Sequence, residues 1–282
     1  MTAASKKASG PARPRAASTL PPDRTGAALV TGASSGIGEV FARELASLGY
    51  DLILVARRAG ILRALAGELR KKHGIRVDVW PADLAADGPI ARLSDRIAGR
   101  KDITLLVNNA GFGHGGRFYQ IDFQGQTDMM HVHMIATAAL TRAVLPRMVE
   151  RNRGAIINVA SVAAFAIVAG NAMYDTTKSW MVKFSLAMAE ELRGTGVKIQ
   201  ALCPGFTHTG FHDTASFKKT YKRFDVPWFL WGPADKVVKI SLKALKRKKV
   251  VVVPVWYNKL LALGPRLPFG RTLTRLTTRR RV

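Results

Sequence analysis

The 282-residue sequence predicts an α/β fold: a single domain with a doubly wound parallel sheet covered by helices on both faces. Three observations predict it. Short apolar runs alternate with amphipathic helical patterns through most of the chain. A glycine-rich turn follows the first run and opens a helical pattern. The residues able to do chemistry fall just beyond the carboxyl ends of the runs, where open parallel sheets hold their ligands.

The elements follow in order. Met1 to Pro22 is rich in Ala, Ser, Pro and Lys/Arg and lacks an apolar run, so 1–24 is expected to be a disordered basic arm, with a transit peptide as the minority alternative. Ala27 to Thr31 is the first strand, and T-G-A-S-S-G-I-G, Thr31 to Gly38, turns into the amphipathic stretch Glu39 to Leu48. Within that turn Gly32 permits the tight bend, Gly36 lets backbone N–H groups approach a pyrophosphate, and Gly38 allows close helix–strand packing. Ser34, Ser35 and Ile37 complete the phosphate-facing loop. Further strands are expected at Leu52 to Ala56, Val77 to Trp80, Ile103 to Val107, Ala155 to Val159, Lys198 to Leu202 and Val250 to Val253. Together 25–255 form the predicted catalytic domain, and 256–282 a basic amphipathic tail.

Tyr174 and Lys178 stand four residues apart, which on a helix places phenol and ammonium on one face, and Ser161 precedes them by thirteen residues. A fixed cation beside a phenol favours the phenolate, so such a tyrosine can donate and recover a proton near neutral pH. A lone Y-x-x-x-K is common on ordinary helices; the glycine-rich turn in its strand-turn-helix context gives this one its weight.

These residues resemble the short-chain dehydrogenase/reductases over roughly Thr25 to Pro254. The resemblance is carried by the glycine-rich turn, Asp83 in P-A-D-L, Asn108-Asn109-Ala110-Gly111, Ser161 in N-V-A-S, Tyr174 with Lys178, and Pro204-Gly205 followed by Thr209, all in the family's order and at about its spacing. It implies a Rossmann-like fold and a nicotinamide-dependent carbonyl reductase. Tyr174 would protonate the carbonyl oxygen, Lys178 would hold the nicotinamide ribose and tune Tyr174, and Ser161 would polarise the carbonyl. Asp83 would hold adenine, Asn109 and Gly111 would line the adenosine ribose side, and Thr207 to Thr209 would grip the carboxamide. One position departs from the pattern. His133 stands where the family usually carries an Asn that organises a relay water beside the lysine; it could bind that water itself, or be a packed helix histidine.

The second strand runs into Arg57 and Arg58 with no acid at its end, which favours NADP(H) over NAD(H): a carboxylate there binds the ribose hydroxyl of NAD, whereas arginine accommodates the extra phosphate. Beyond Gly205 come Phe211, Phe217, Tyr221, Phe224, Trp228, Phe229, Leu230 and Trp231, an aromatic wall suited to an apolar acyl, lipid or steroid-like carbonyl substrate. The interleaved Lys218, Lys219, Lys222 and Arg223 suit the phosphates of coenzyme A or an acyl-carrier thioester. The resemblance also implies a homo-oligomer built through the helices carrying His133 and Tyr174.

One cysteine, Cys203, excludes an internal disulfide and fits a reducing, cytoplasmic setting, and the six histidines show no metal spacing. The formal charge is +25, and no acid occurs from Lys236 to Val282. In the tail Phe269, Leu273 and Leu276 share one face while Arg271, Arg275 and Arg279 share another, the pattern of a helix lying on an anionic membrane surface. The alternative is a catalytically quiet, cofactor-sensing protein that binds nucleic acid through its basic ends; the complete Ser161, Tyr174 and Lys178 set argues against it.

Overall fold

The computed structural model describes residues 26–213, 227–247 and 249–255. The arm, the tail, and Phe217, Tyr221, Phe224 and the four cations between Lys218 and Arg223 lie outside the described residues.

Six strands alternate with helices from the start: β1 (Ala27–Thr31), α1 (Gly36–Ser47), β2 (Asp51–Ala56), α2 (Ala59–His73), β3 (Val77–Pro81), α3 (Asp87–Ala98), β4 (Ile103–Asn108), α4 (Phe123–Met130), α5 (Ala136–Glu150), β5 (Gly154–Val159), α6 (Ala172–Glu191) and β6 (Val197–Leu202). A short pair, β7 (Thr207–His208) and β8 (Gly232–Pro233), precedes α7 (Ala234–Lys246) and β9 (Val251–Val252). The main sheet has seven strands in the order β3-β2-β1-β4-β5-β6-β9, every pairing parallel. This is the doubly wound sheet that the alternating pattern predicts. The chain moves outward from β1 to β3, returns to β4 on the other side of β1, and so opens a crevice at the carboxyl ends of β1 and β4.

Successive strand residues feed opposite layers, as the pleat requires. Ala28, Val30, Leu52 and Leu54 pack with Phe41, Leu45, Leu62 and Val238 of α1, α2 and α7. Ala27, Leu29, Ile53 and Val55 pack with Ile90, Leu93, Leu140 and Val144 of α3 and α5. With both faces covered, the strands read as unbroken apolar runs rather than alternating ones. A polar thread crosses this core: Asn108 Nδ2 donates to Asn158 Oδ1 at 2.9 Å, and Asn158 Nδ2 donates to Ser185 Oγ at 2.9 Å, tying β4, β5 and α6 at their functional ends.

Strand limits differ from the sequence reading by a residue or two. Two features were not legible. The pair β7 and β8 is too short to carry a period, and α4 joins α5 through a π turn, His131–Ile135, which a 3.6-residue periodicity passes over.

Candidate active site

The glycine turn is held from beneath by Asn109. Its Nδ2 donates to Thr31 O at 2.9 Å, while Thr31 Oγ1 accepts from the Asn109 and Ala110 N–H groups at 2.9 and 3.0 Å. Gly32 and Gly36 have φ of 66° and 60°, the left-handed region that glycine enters without strain. A Cβ at Gly38 would sit 2.4 Å from both Asn109 Nδ2 and Gly32 O, so no side chain fits there. From Gly36 the chain enters α1, and the first N–H groups of that helix point toward the crevice with no partner inside the helix. Thr209 closes the turn from the far side, its Cβ 3.3 Å from where a Gly36 Cβ would lie.

The end of β2 reaches the same turn. Arg58 Nη2 donates to Ser34 Oγ at 2.9 Å, to Ser35 Oγ at 3.0 Å and to Ser34 O at 3.3 Å. Arg57 Nη1 stands 4.0 Å from Asp83 Oδ2, with both side chains well exposed, and Asp83 Oδ1 accepts from the Ala85 N–H at 3.1 Å. One guanidinium and two hydroxyls therefore meet at the glycine turn, with the exposed Arg57 next in the chain and facing Asp83. This donor set, next to a glycine cradle and a helix start, fits a phosphorylated dinucleotide.

On the other side of the crevice, Ser161 lies in extended backbone after β5 and caps a 3₁₀ turn, Val162–Phe165, its Oγ accepting from the Ala163 N–H at 3.1 Å. Lys178 on α6 is 4% exposed; Nζ donates to Val159 O at 3.0 Å and stands 5.8 Å from the centre of the Tyr174 ring. Burial pushes the Lys178 ammonium down to about 7. An ionised Cys203 would oppose that shift, but burial pushes its own thiol up to about 12, so at neutral pH it lends no charge. The Cys203 thiol is thus structural.

His133, within the π turn, is fully buried. Its Nδ1 lies 2.9 Å from Thr177 Oγ1, which in turn lies 3.0 Å from Tyr174 O. The one hydroxyl proton of Thr177 serves either contact, so this pair ties the His133 ring to α6 whichever ring nitrogen carries its proton. Burial, with the Lys178 charge adding to it, holds His133 well below the usual imidazole range, so the ring is neutral. Nε2 meets no partner among the described residues. A Cβ at Gly111 would lie 2.7 Å from that nitrogen and 3.5 Å from Lys178 Nζ.

Gly111, expected to line the adenosine ribose side, lies beside His133 and Lys178, and Asn109, expected there too, also braces the turn through its amide. Thr207 Oγ1 donates to Gly205 O at 3.0 Å. Of the expected aromatic wall, Phe211 lies 6.2 Å from Tyr174 between ring centres and Trp231 stacks on His208 at 5.5 Å, whereas Trp228 is 84% exposed. The sequence reading missed Thr177, whose contact with His133 spans 44 residues and leaves no local signal. No cluster that could hold a metal occurs among the described residues.

The family model described as short chain dehydrogenase matches residues 26–219. A very-long-chain 3-oxoacyl-CoA reductase of Laccaria bicolor is 35% identical over 62% of this chain and 53% of its own length, so the chain spans about half of that relative. An NADP-dependent 3-hydroxy acid dehydrogenase of Schizosaccharomyces pombe is 32% identical over 80% of this chain and 88% of its own. Among solved structures, a short-chain dehydrogenase from Sphingobium yanoikuyae in complex with NADPH superimposes with a TM-score of 0.77 at 31% identity, covering 89% of this chain and 95% of that one. Matched by that family model over most of its length and built on a seven-stranded parallel sheet, this chain belongs to the short-chain dehydrogenase family.

Proposed function

We propose that the chain reduces a ketone on an apolar substrate, an acyl thioester or other lipid-like carbonyl, with NADPH as the reductant. The observation that carries this reading is the buried Lys178, its Nζ 3.0 Å from Val159 O at the end of β5 and 5.8 Å from the centre of the Tyr174 ring, with Ser161 following the same strand. The residues that would hold the cofactor are the cradle from Gly32 to Gly38, Arg57 and Arg58, Asp83, Asn109, Lys178, Thr207 and Thr209, and a bound NADPH supplies the hydride.

Ser161 Oγ donates to the carbonyl oxygen and holds it beside the Tyr174 hydroxyl, which delivers the proton as the oxygen becomes an alkoxide. Lys178 keeps a positive charge facing the developing phenolate. His133 acts through the lysine: its buried Nε2, without a partner among the described residues, can share a hydrogen bond with a water that also solvates the Lys178 ammonium. The preference for NADPH is supported by Arg58 beside Ser34 and Ser35, by Arg57 next to it in the chain, and by the names of the Schizosaccharomyces and Sphingobium proteins. An acyl or other apolar substrate is supported by Phe211 beside Tyr174 and by the Laccaria relative's name. Ile135, Val149 and Leu186, exposed apolar residues around α5 and on α6, support self-association through those helices.

The test is NADPH oxidation by the purified chain over a panel of 3-oxoacyl thioesters, steroids, quinones and small aldehydes. Turnover concentrated on bulky apolar ketones is expected. Activity confined to small aldehydes or quinones would overturn the substrate class, and NADH preferred over NADPH would overturn the cofactor.

A further inference from the structure

Asp175 follows the catalytic tyrosine but takes no part in the chemistry above. It is 6% exposed. Its Oδ2 accepts a hydrogen bond from the Val168 N–H at 3.0 Å, and its Oδ1 is buried with no partner among the described residues. A buried, half-satisfied carboxylate is costly to keep. Burial pushes this carboxyl up to about 7, against the stabilising Val168 bond, so the group sits here at the expense of its own solvation.

What it holds is the segment between the 3₁₀ turn that Ser161 caps and the helix that carries Tyr174. Residues 166–171 join the 3₁₀ turn after Ser161 to α6. The 3₁₀ turn at its near end has its own ties: Val162 N–H donates to Pro204 O at 2.9 Å, and Ser179 Oγ donates to Ala164 O at 2.7 Å. The far half hangs on Val168. Its carbonyl accepts from the Asn171 N–H at 3.0 Å, and two residues on, Gly170 O accepts from the Gly116 N–H at 2.8 Å, which joins this loop to the one after β4. Ile167, next to the latched amide, is 71% exposed. One carboxylate on the catalytic helix therefore fixes where two loops from neighbouring strands meet, one turn from Tyr174.

We propose that Asp175 is a positioning residue for the substrate: by holding Val168 it fixes the 166–171 wall of the mouth and sets how bulky a ketone the site accepts. This rests on the ketone-reductase reading above. A leucine at this position would cost less to bury, and the carboxylate stands there because only an acceptor of that reach takes the Val168 N–H.

Two measurements on the full chain test it: amide hydrogen exchange across 166–171 at one fixed pH, and kcat and KM for one small and one bulky ketone. In Asp175→Ala the Val168 amide is expected to exchange about tenfold faster, as loss of a hydrogen bond to a charged group implies. KM for the bulky ketone should rise about tenfold while the small ketone and both kcat values change far less. Asp175→Asn, which retains an acceptor oxygen, should restore the protection and the KM ratio. If Asp175→Ala does not fold, Asp175→Ser serves, because its hydroxyl cannot span to Val168. Unchanged exchange, or equal rises in KM for both ketones, overturns the proposal. If the wild-type chain reduces no ketone, the functional reading falls instead; exchange then still decides the latch, faster exchange supporting it and unchanged exchange overturning it.

Discussion

Lys178 pays for its place in the site. Its ammonium is 4% exposed and pushed down to about 7 by burial, against 10.5 for an unperturbed lysine. Between those values the unfolded chain holds a proton that the folded one lacks, so stability should rise as pH climbs from about 7 to 10.5. Lys178→Met is accordingly expected to abolish turnover yet raise the thermal midpoint, most at or below pH 7 and progressively less toward pH 10.5. Thermal unfolding across that range checks it; a midpoint lowered at every pH would show that the Val159 contact outweighs the buried charge. Just past β2, replacing Arg57 and Arg58 by Ala should weaken NADPH by about 1.5–3 kcal/mol and leave NADH nearly unchanged. Equal losses measured by titration of both cofactors would show that these arginines read no phosphate. Tyr174, Lys178 and Ser161 were legible because helix spacing and order fix their relation. The setting of His133 was not, since Thr177, the partner of its Nδ1, stands 44 residues away.

The elements that build the cradle were read from β1, the glycines and the start of α1, and the structure explains the glycines by contact as well as by φ. Gly38 has no unusual φ in the structure; it is glycine because Asn109 and Gly32 leave no room for a Cβ. Gly38→Ala is expected to cost about 1–3 kcal/mol in stability through overpacking and to weaken both cofactors alike, because it spreads the turn without touching the arginines. Chemical denaturation with cofactor titration measures both, and NADPH loss without NADH loss would contradict it. The π turn at His131–Ile135 and the two-residue strands β7 and β8 escaped sequence reading for a different reason: each departs from a regular period over too few residues to leave a pattern.

For the whole molecule, the seven-strand parallel order followed from the alternation of runs, because right-handed crossovers leave few ways to lay such units side by side. Charge is the other global property. No helix among the described residues is long and apolar enough to cross a membrane, and the acid-free stretch from Lys236 to Val282 supports peripheral attachment to an anionic surface. Sedimentation with anionic but not neutral liposomes is expected, weakened by salt and lost on truncation after Pro254; equal binding by the truncated chain would contradict it.

The proton from Tyr174 is the centre of the account, and it is measured by comparing wild type with Tyr174→Phe, for which the ring packing against His133 and Phe211 is preserved. With a ketone that the wild type reduces, NADPH affinity should be nearly unchanged while kcat falls by about 10²-fold or more, the contribution of a positioned general acid. A variant that binds NADPH normally and keeps more than about a tenth of wild-type kcat would contradict that role.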